Sequence, residues 1–328
     1  MLPLMGEFDL IARYFQRPTT RAVLGIGDDC ALLQPAAGMQ LAVSSDMLVE
    51  GRHFFPDVDP SALGHKALAV NLSDLAACGA QPLAFTLALA LPRADEAWLA
   101  AFSRGLFALA DAHGCELVGG DTTQGPLNIC ITVFGEVPRG QALLRSGARA
   151  GDDIYVSGTL GDARLALEAL RGTLTLPPGW MGAARTRLER PTPRLALGMA
   201  LRGIASAAID ISDGLVGDLG HILQASRVGA RIDTAIAVDL LAGDGEAHVP
   251  QGLFHHEARL GCVLAGGDDY ELAFTAPVSA RAAVEAAALE ARTPVTCIGH
   301  IESAPGLRLV DGAGQPVSGN FASFDHFA

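Results

Sequence analysis

The 328-residue sequence predicts an α/β (α+β) protein of two domains. Three observations lead there. Short apolar runs of strand character interleave with longer stretches of helical period. A segment dense in Pro, Gly and Arg, residues 138–151, breaks that periodicity near the middle of the chain. The length also exceeds what one hydrophobic core usually serves. The boundary is placed so that residues 1–139 form an N-terminal domain and residues 140–328 a C-terminal one.

In the first domain, residues 7–15 carry an amphipathic helical pattern, followed by strand-like runs at 40–44, 84–91, 116–118 and 127–137. Helices are expected at 60–78 and at 94–113, the second opening after Pro92 with acids in its first turn. The second domain restarts with a strand at 153–157 and a helix at 162–170. A Gly/Pro-rich stretch follows at 171–182, then helices at 193–202 and 214–225 and strands at 207–211, 271–275 and 295–298.

Hydrophobic residues make up 50% of the chain and charged residues 18%, which supplies well-buried cores and argues against disorder. A net charge of -13 makes nucleic acid and anionic membranes poor partners. The six cysteines form no Cys-x-x-Cys pair and read as reduced, buried residues. No apolar run is long enough to span a bilayer and the N-terminus lacks a signal pattern, so the expected location is cytoplasmic. A single lysine, Lys66, sits in Gly-His-Lys-Ala-Leu, which excludes a P-loop.

The distribution of aspartate carries the chemistry. Six times an apolar run ends in small residues and then aspartate: Gly27-Asp28-Asp29, Ser45-Asp46, Ser73-Asp74, Gly120-Asp121, Ser212-Asp213 and Gly267-Asp268-Asp269. Five of these clusters fall in windows without Lys or Arg, between Arg21 and Arg52, Arg104 and Arg139, Arg202 and Arg227, and Arg259 and Arg281. Carboxylates at the ends of buried elements repel unless positive charge joins them, and where side chains do not supply it a divalent metal is the natural candidate. All-oxygen ligands suit Mg²⁺, which binds through a few carboxylates plus substrate phosphates. The pattern therefore points to a Mg–nucleotide enzyme.

Helical phasing of 60–78 places Ala67, Val70, Asn71, Asp74 and Cys78 on one face of a helix that is apolar nearly all round, hence buried, so Asp74 needs a partner. Asp28 and Asp29 follow a Gly-x-Gly turn, and one should reach metal while the other fixes the turn. Ser44, Ser45 and Asp46 close the next strand as a candidate half-shell for Mg²⁺. Asp121 follows paired glycines at a strand end, which would allow a nucleotide close to the backbone. Asp210 and Ser212 share a face at strand period, while Ser212 or Asp213 could instead cap the following helix. Arg145, in the junction, could clamp a phosphate, and His53 could face substrate.

Read together and in order, the segments Gly25-Ile-Gly-Asp-Asp-Cys-Ala-Leu-Leu, Ser45-Asp-Met-Leu-Val-Glu-Gly-Arg-His-Phe, Lys66-Ala-Leu-Ala-Val-Asn-Leu-Ser-Asp-Leu, Gly119-Gly-Asp-Thr-Thr-Gln-Gly-Pro, Ile209-Asp-Ile-Ser-Asp-Gly-Leu and Gly266-Gly-Asp-Asp-Tyr-Glu-Leu resemble the thiamine-monophosphate kinase family. That family belongs to the superfamily of aminoimidazole ribonucleotide synthetase and selenophosphate synthetase. The resemblance implies a homodimer in which the N-terminal domains pair as a β-barrel, and a C-terminal domain that completes the nucleotide and substrate cleft. It implies ATP and several Mg²⁺ ions, and direct in-line phosphorylation of thiamine monophosphate to thiamine diphosphate.

By that likeness Asp29, Ser44, Ser45, Asp46, Asp74, Asp121, Asp210 and Asp213 are the metal shell. Gly120, Asp121, Arg145 and Ser212 hold ATP, and His53, Asp268 and Phe324 approach thiamine monophosphate. The acceptor is already an oxyanion, so no residue is named as a general base. The sequence departs from the family at Asp268, where Glu is common, and at Phe324, where a phenol or indole is common. The alternatives are an aminoimidazole ribonucleotide synthetase-like enzyme and a non-catalytic Mg–nucleotide binding module.

Overall fold

The structure is a computed structural model and describes residues 6–241, 255–319 and 321. The described residues divide into two compact units, each with its own mixed sheet: one holds those up to Leu75 together with Ala80–Gly140, the other Ala76–Gly79 and those from Gln141 on.

The first unit contains α1 (Glu7–Tyr14), β1 (Met39–Val49), α2 (Pro60–Ala77), β2 (Gln81–Leu91), α3 (Glu96–His113), β3 (Glu116–Gln124) and β4 (Asn128–Pro138). Its strand order is β1-β4-β2-β3, with β2 and β3 parallel and the other pairs antiparallel. Among the described residues the sheet does not close into a barrel. Helix α2 is buried on every side, with Leu63, Ala67, Leu68, Ala69, Leu72 and Leu75 shielded from solvent. Asp95 caps α3 by accepting the backbone N–H groups of Ala97 and Trp98 at 3.1 Å. The two helices cross in close contact, because a Cβ at Gly105 would lie 1.8 Å from the Ser61 carbonyl and one at Gly64 2.1 Å from that of Phe102.

Two strands run further than the sequence suggested. β1 continues past Ser44 to Val49 because β4 pairs along its whole length, from Met39 opposite Pro138 to Val49 opposite Asn128. Ser45 and Asp46 therefore lie inside a strand. β3 continues through Gly119 and Gly120 to Gln124, accommodated by an extra residue in β3, Val118, where the register with β2 steps from Phe85–Leu117 to Thr86–Gly119.

The second unit contains β5 (Asp153–Ser157), α4 (Asp162–Leu170), α5 (Pro178–Glu189), α6 (Leu195–Ala200), β6 (Ala207–Ile211), α7 (Leu215–Ser226), β7 (Gly229–Asp233), α8 (Thr234–Ala237), α9 (His256–Ala265), β8 (Glu271–Ala276), α10 (Arg281–Glu290), β9 (Val295–Glu302) and β10 (Gly306–Val310). Its six strands are ordered β10-β7-β9-β5-β8-β6. Helix α5 occupies part of the stretch that Gly and Pro made look irregular; it has a Pro in its first turn, where the fixed φ of proline suits a helix start. The core of this unit joins Ile154, Val156, Ile209, Ile211, Leu219 and Ile298.

The cysteines are free, as expected, but among them Cys115 alone is buried and Cys30 is exposed. No helix of the described residues is long and apolar enough to cross a membrane.

Candidate functional site

In the first unit, strand alternation sorts β1 into two faces. Ser44, Asp46 and Leu48 turn toward α2, where the Ser44 hydroxyl donates to Asp74 Oδ2 at 2.5 Å and the Asp46 backbone N–H donates to Asn71 Oδ1 at 3.0 Å. Asn71 is itself fixed by donating to the Ala67 carbonyl. Ser45 does not join them. Its hydroxyl lies on the opposite face against Thr132 Oγ1 at 2.9 Å and donates to the Ile131 carbonyl, beside the exposed Leu41, Val43 and Met47. At the end of β1 the Val49 backbone N–H donates to His53 Nδ1 at 3.0 Å, which makes Nε2 the protonated nitrogen of a neutral ring.

A second group surrounds a cavity of about 680 Å³ in the same unit. Phe8, Ile11 and Phe15 of α1 form one wall, the 26–29 loop another, and Thr86, Leu87 and residues 117–122 of β2 and β3 a third. Asp28, Asp29 and Asp121 are on its lining, and among the described residues no Lys or Arg is. Asp28 Oδ1 accepts the Asp29 backbone N–H at 2.9 Å, the turn-fixing contact expected of one of the pair. Gly120 stands where no other residue fits: its φ is +142°, and a Cβ would sit 1.8 Å from the Leu87 carbonyl.

The segment leading to this loop is moored by Glu116. Its carboxylate accepts the Thr20 hydroxyl and the backbone N–H groups of Thr20, Arg21 and Ala22 at 2.7–3.1 Å. Burial pulls the Glu116 carboxyl upward, but the bonds from Thr20, Ala22 and Arg21 outweigh it and hold its pKa below the usual value.

In the second unit, two loops lie side by side. The Asp268 N–H donates to the Ser212 carbonyl and the Tyr270 N–H to the Ile211 carbonyl, both at 2.8 Å. Asp210, on β6, is buried, and Ser212, Asp213 and Asp268 are half-buried. Neither Ser212 nor Asp213 caps α7; the N-cap position is Gly214. Asp218 reaches back instead, and its Oδ2 accepts the N–H groups of Ser212, Asp213 and Gly214 at 3.1 Å. Burial drives the Asp218 carboxyl up to about 6 against the pull of those donors.

Beneath the other loop, Asp269 accepts the Gly161 N–H through both oxygens, and burial raises its carboxyl well above the ordinary range. Glu271, fully buried, accepts Ser157, Arg187 and Arg194. Arg145 is exposed, and its carbonyl accepts the Ser226 hydroxyl. Phe324 lies outside the described residues.

The expected acidic residues thus fall into local sets: Ser44, Asp46 and Asp74; Asp28, Asp29, Gly120 and Asp121; and Asp210, Ser212, Asp213 and Asp268. Among the described residues no three His, Cys, Asp or Glu side chains converge closely enough to hold a metal by themselves. The donors are nonetheless the carboxylate and hydroxyl oxygens that suit a hard dication, and Mg²⁺ completes its shell with water and phosphate oxygens. Asp218, Arg187 and Arg194 are additions that sequence reasoning did not single out. Asp218 had a signal in its place in the first turn of a helix. The two arginines had none.

Residues 27–137 match the family described as AIR synthase related protein, N-terminal domain, and residues 149–312 its C-terminal domain. The chain is 49% identical over 330 residues to the thiamine-monophosphate kinase of Salmonella typhimurium, covering 98% of each. The chain belongs to the thiamine-monophosphate kinase family. The crystal structure of the thiamine-monophosphate kinase from Stenotrophomonas maltophilia superposes with a TM-score of 0.82 at 46% identity, covering 94% of this chain and 95% of that one. AaThiL complexed with AMPPCP and TMP superposes with a TM-score of 0.73 at 30% identity, over 90% and 89%. Membership of the thiamine-monophosphate kinase family accounts for the ordered set of motifs along nearly the whole chain.

Proposed function

We propose that the chain transfers the γ-phosphoryl group of ATP to thiamine monophosphate, giving thiamine diphosphate and ADP, with Mg²⁺ as cofactor. The reading rests on the cavity of about 680 Å³ whose lining, among the described residues, holds three aspartates and no basic residue. A triphosphate entering beside those carboxylates requires dications between them. The apolar wall from α1 suits the flat base of a nucleotide, and Gly120 lets phosphate approach the backbone.

Asp29, Ser44, Asp46, Asp74 and Asp121 of the first unit and Asp210 and Asp213 of the second would hold Mg²⁺, with the Ser45 hydroxyl left out because it faces away. Bound Mg²⁺ offsets the repulsion between donor and acceptor phosphates and the charge on the migrating group. The side chains contribute placement: the Ser44 bond and Asn71 fix Asp74 and Asp46 before nucleotide arrives. Gly120, Asp121, Arg145 and Ser212 are the proposed ATP contacts.

His53 and Asp268 are the proposed contacts to thiamine monophosphate, the carboxylate facing the cationic thiazolium. No general base is needed, since the acceptor is a phosphate oxyanion.

Residues 1–139 would also form the dimer contact, pairing two sheets as a barrel; Leu41, Val43 and Met47 on the exposed face of β1 support this. The protein is expected to act in the cytoplasm.

The test is acceptor choice. ADP release should require thiamine monophosphate and thiamine diphosphate should accumulate. Release stimulated by formylglycinamidine ribonucleotide instead would assign a synthetase, and Mg–ATP binding without turnover a binding module.

A further inference from the structure

We propose that Arg187 is a positioning residue, holding the 266–270 loop so that Asp268 keeps the backbone conformation from which it meets substrate; this rests on the kinase reading above. The loop is strained. Asp268 has φ +66° and Tyr270 φ +51°, left-handed conformations that residues other than glycine keep only where the surroundings fix them. One side is fixed by the backbone bonds to Ile211 and Ser212. Arg187 supplies the other side from α5.

A single Arg187 nitrogen, Nη2, donates to the Thr159 carbonyl at 3.2 Å, to the Asp269 carbonyl at 3.4 Å and to Glu271 Oε1 at 2.8 Å. It thereby ties the loop after β5, the loop before β8 and β8 itself to one guanidinium. Glu271 is in turn held by Arg194 and by Ser157, whose hydroxyl oxygen accepts the Leu272 N–H at 2.8 Å.

The chemistry is costly for a purely structural bolt. Arg187 Nε is buried without a hydrogen-bond partner, and a buried ion pair stabilises a fold no better than well-packed apolar residues. What a guanidinium adds is direction, since its rigid plane aims the hydrogens of one nitrogen at the carbonyls and the carboxylate together.

The experiment compares wild type with Arg187→Lys, which keeps the charge beside Glu271 and loses the rigid plane that aims Nη2, and with Arg187→Gln as a second variant. Steady-state kinetics of the full chain are measured with Mg²⁺, ATP and thiamine monophosphate. The expected result is a KM for thiamine monophosphate raised about tenfold, with kcat and the KM for ATP changed less than about threefold.

In an Asp268→Ala background the same Arg187→Lys change should add little to that KM, because the two act as one unit. An unchanged KM in both Arg187 variants overturns the proposal, as does a full additive penalty on top of Asp268→Ala. A wild-type protein without turnover removes the kinase reading and this proposal with it, so the two failures are distinguishable.

Discussion

The Ser44 hydroxyl donates to the Asp74 carboxylate at 2.5 Å, joining β1 to α2 across 30 residues of chain. With Asn71 accepting the Asp46 backbone N–H one turn away, this bond sets two carboxylates and a hydroxyl on one face of the first unit. Oxygen donors held before a ligand arrives lose little freedom on binding it.

Asp74→Asn tests that arrangement with almost no change of shape. Mg–ATP affinity, measured by titration calorimetry, is expected to fall about tenfold or more while the melting temperature stays within a few degrees. Unaltered affinity would falsify the role of Asp74 as a ligand.

Gly120→Ala addresses backbone geometry. The added methyl meets the Leu87 carbonyl at 1.8 Å in a conformation that L residues avoid. The expected loss is about 3 kcal/mol or more of unfolding free energy, read from urea denaturation. A loss under about 1 kcal/mol would mean that β2 and β3 are not paired as described.

Glu116 gives a pH dependence of known sign. Its pKa lies below the ordinary 4.5, so the stability it contributes is present above that value and is lost as pH falls through the folded-state pKa. Glu116→Gln should cost about 1 kcal/mol at neutral pH, a figure kept low because the group is partly exposed, and the difference from wild type should shrink in acid. Melting curves between pH 3 and 7 check it; a gap that widens in acid contradicts the mooring of residues 20–22.

Val43→Glu tests the proposed dimer. Val43 is 56% exposed on a face with Leu41 and Met47, and a charge there should convert a dimer into a monomer in sedimentation velocity without unfolding it. A wild-type monomer at micromolar concentration would contradict the pairing.

Much of this arrangement was legible in the sequence where one period dominates. Helix α2 is apolar all round, so Asn71 and Asp74 stood out as polar side chains that had to meet something, and β1 is what they meet. The Ser44-Ser45-Asp46 run was harder. Its polarity reads as a strand end, and only the full-length pairing with β4 shows that alternation separates Ser45 from its neighbours.

Of the two readings open for Ser212 and Asp213, capping of α7 is the one not realised: a side chain inside the helix, Asp218, reaches the donors that such a cap would have satisfied. Arg187 lies 84 residues from Glu271 on a helix disguised by Gly and Pro, so no local pattern could reveal the pair. Long-range ion pairs of this kind are settled by packing, which periodicity does not encode.

The most direct measurement follows ADP and thiamine diphosphate together, with the folded protein supplied with ATP and thiamine monophosphate in Mg²⁺ and again in excess chelator. The two products are expected in equal amounts with Mg²⁺ and neither without it. Thiamine diphosphate formed equally well in chelator, or absent in Mg²⁺, would contradict the proposed function.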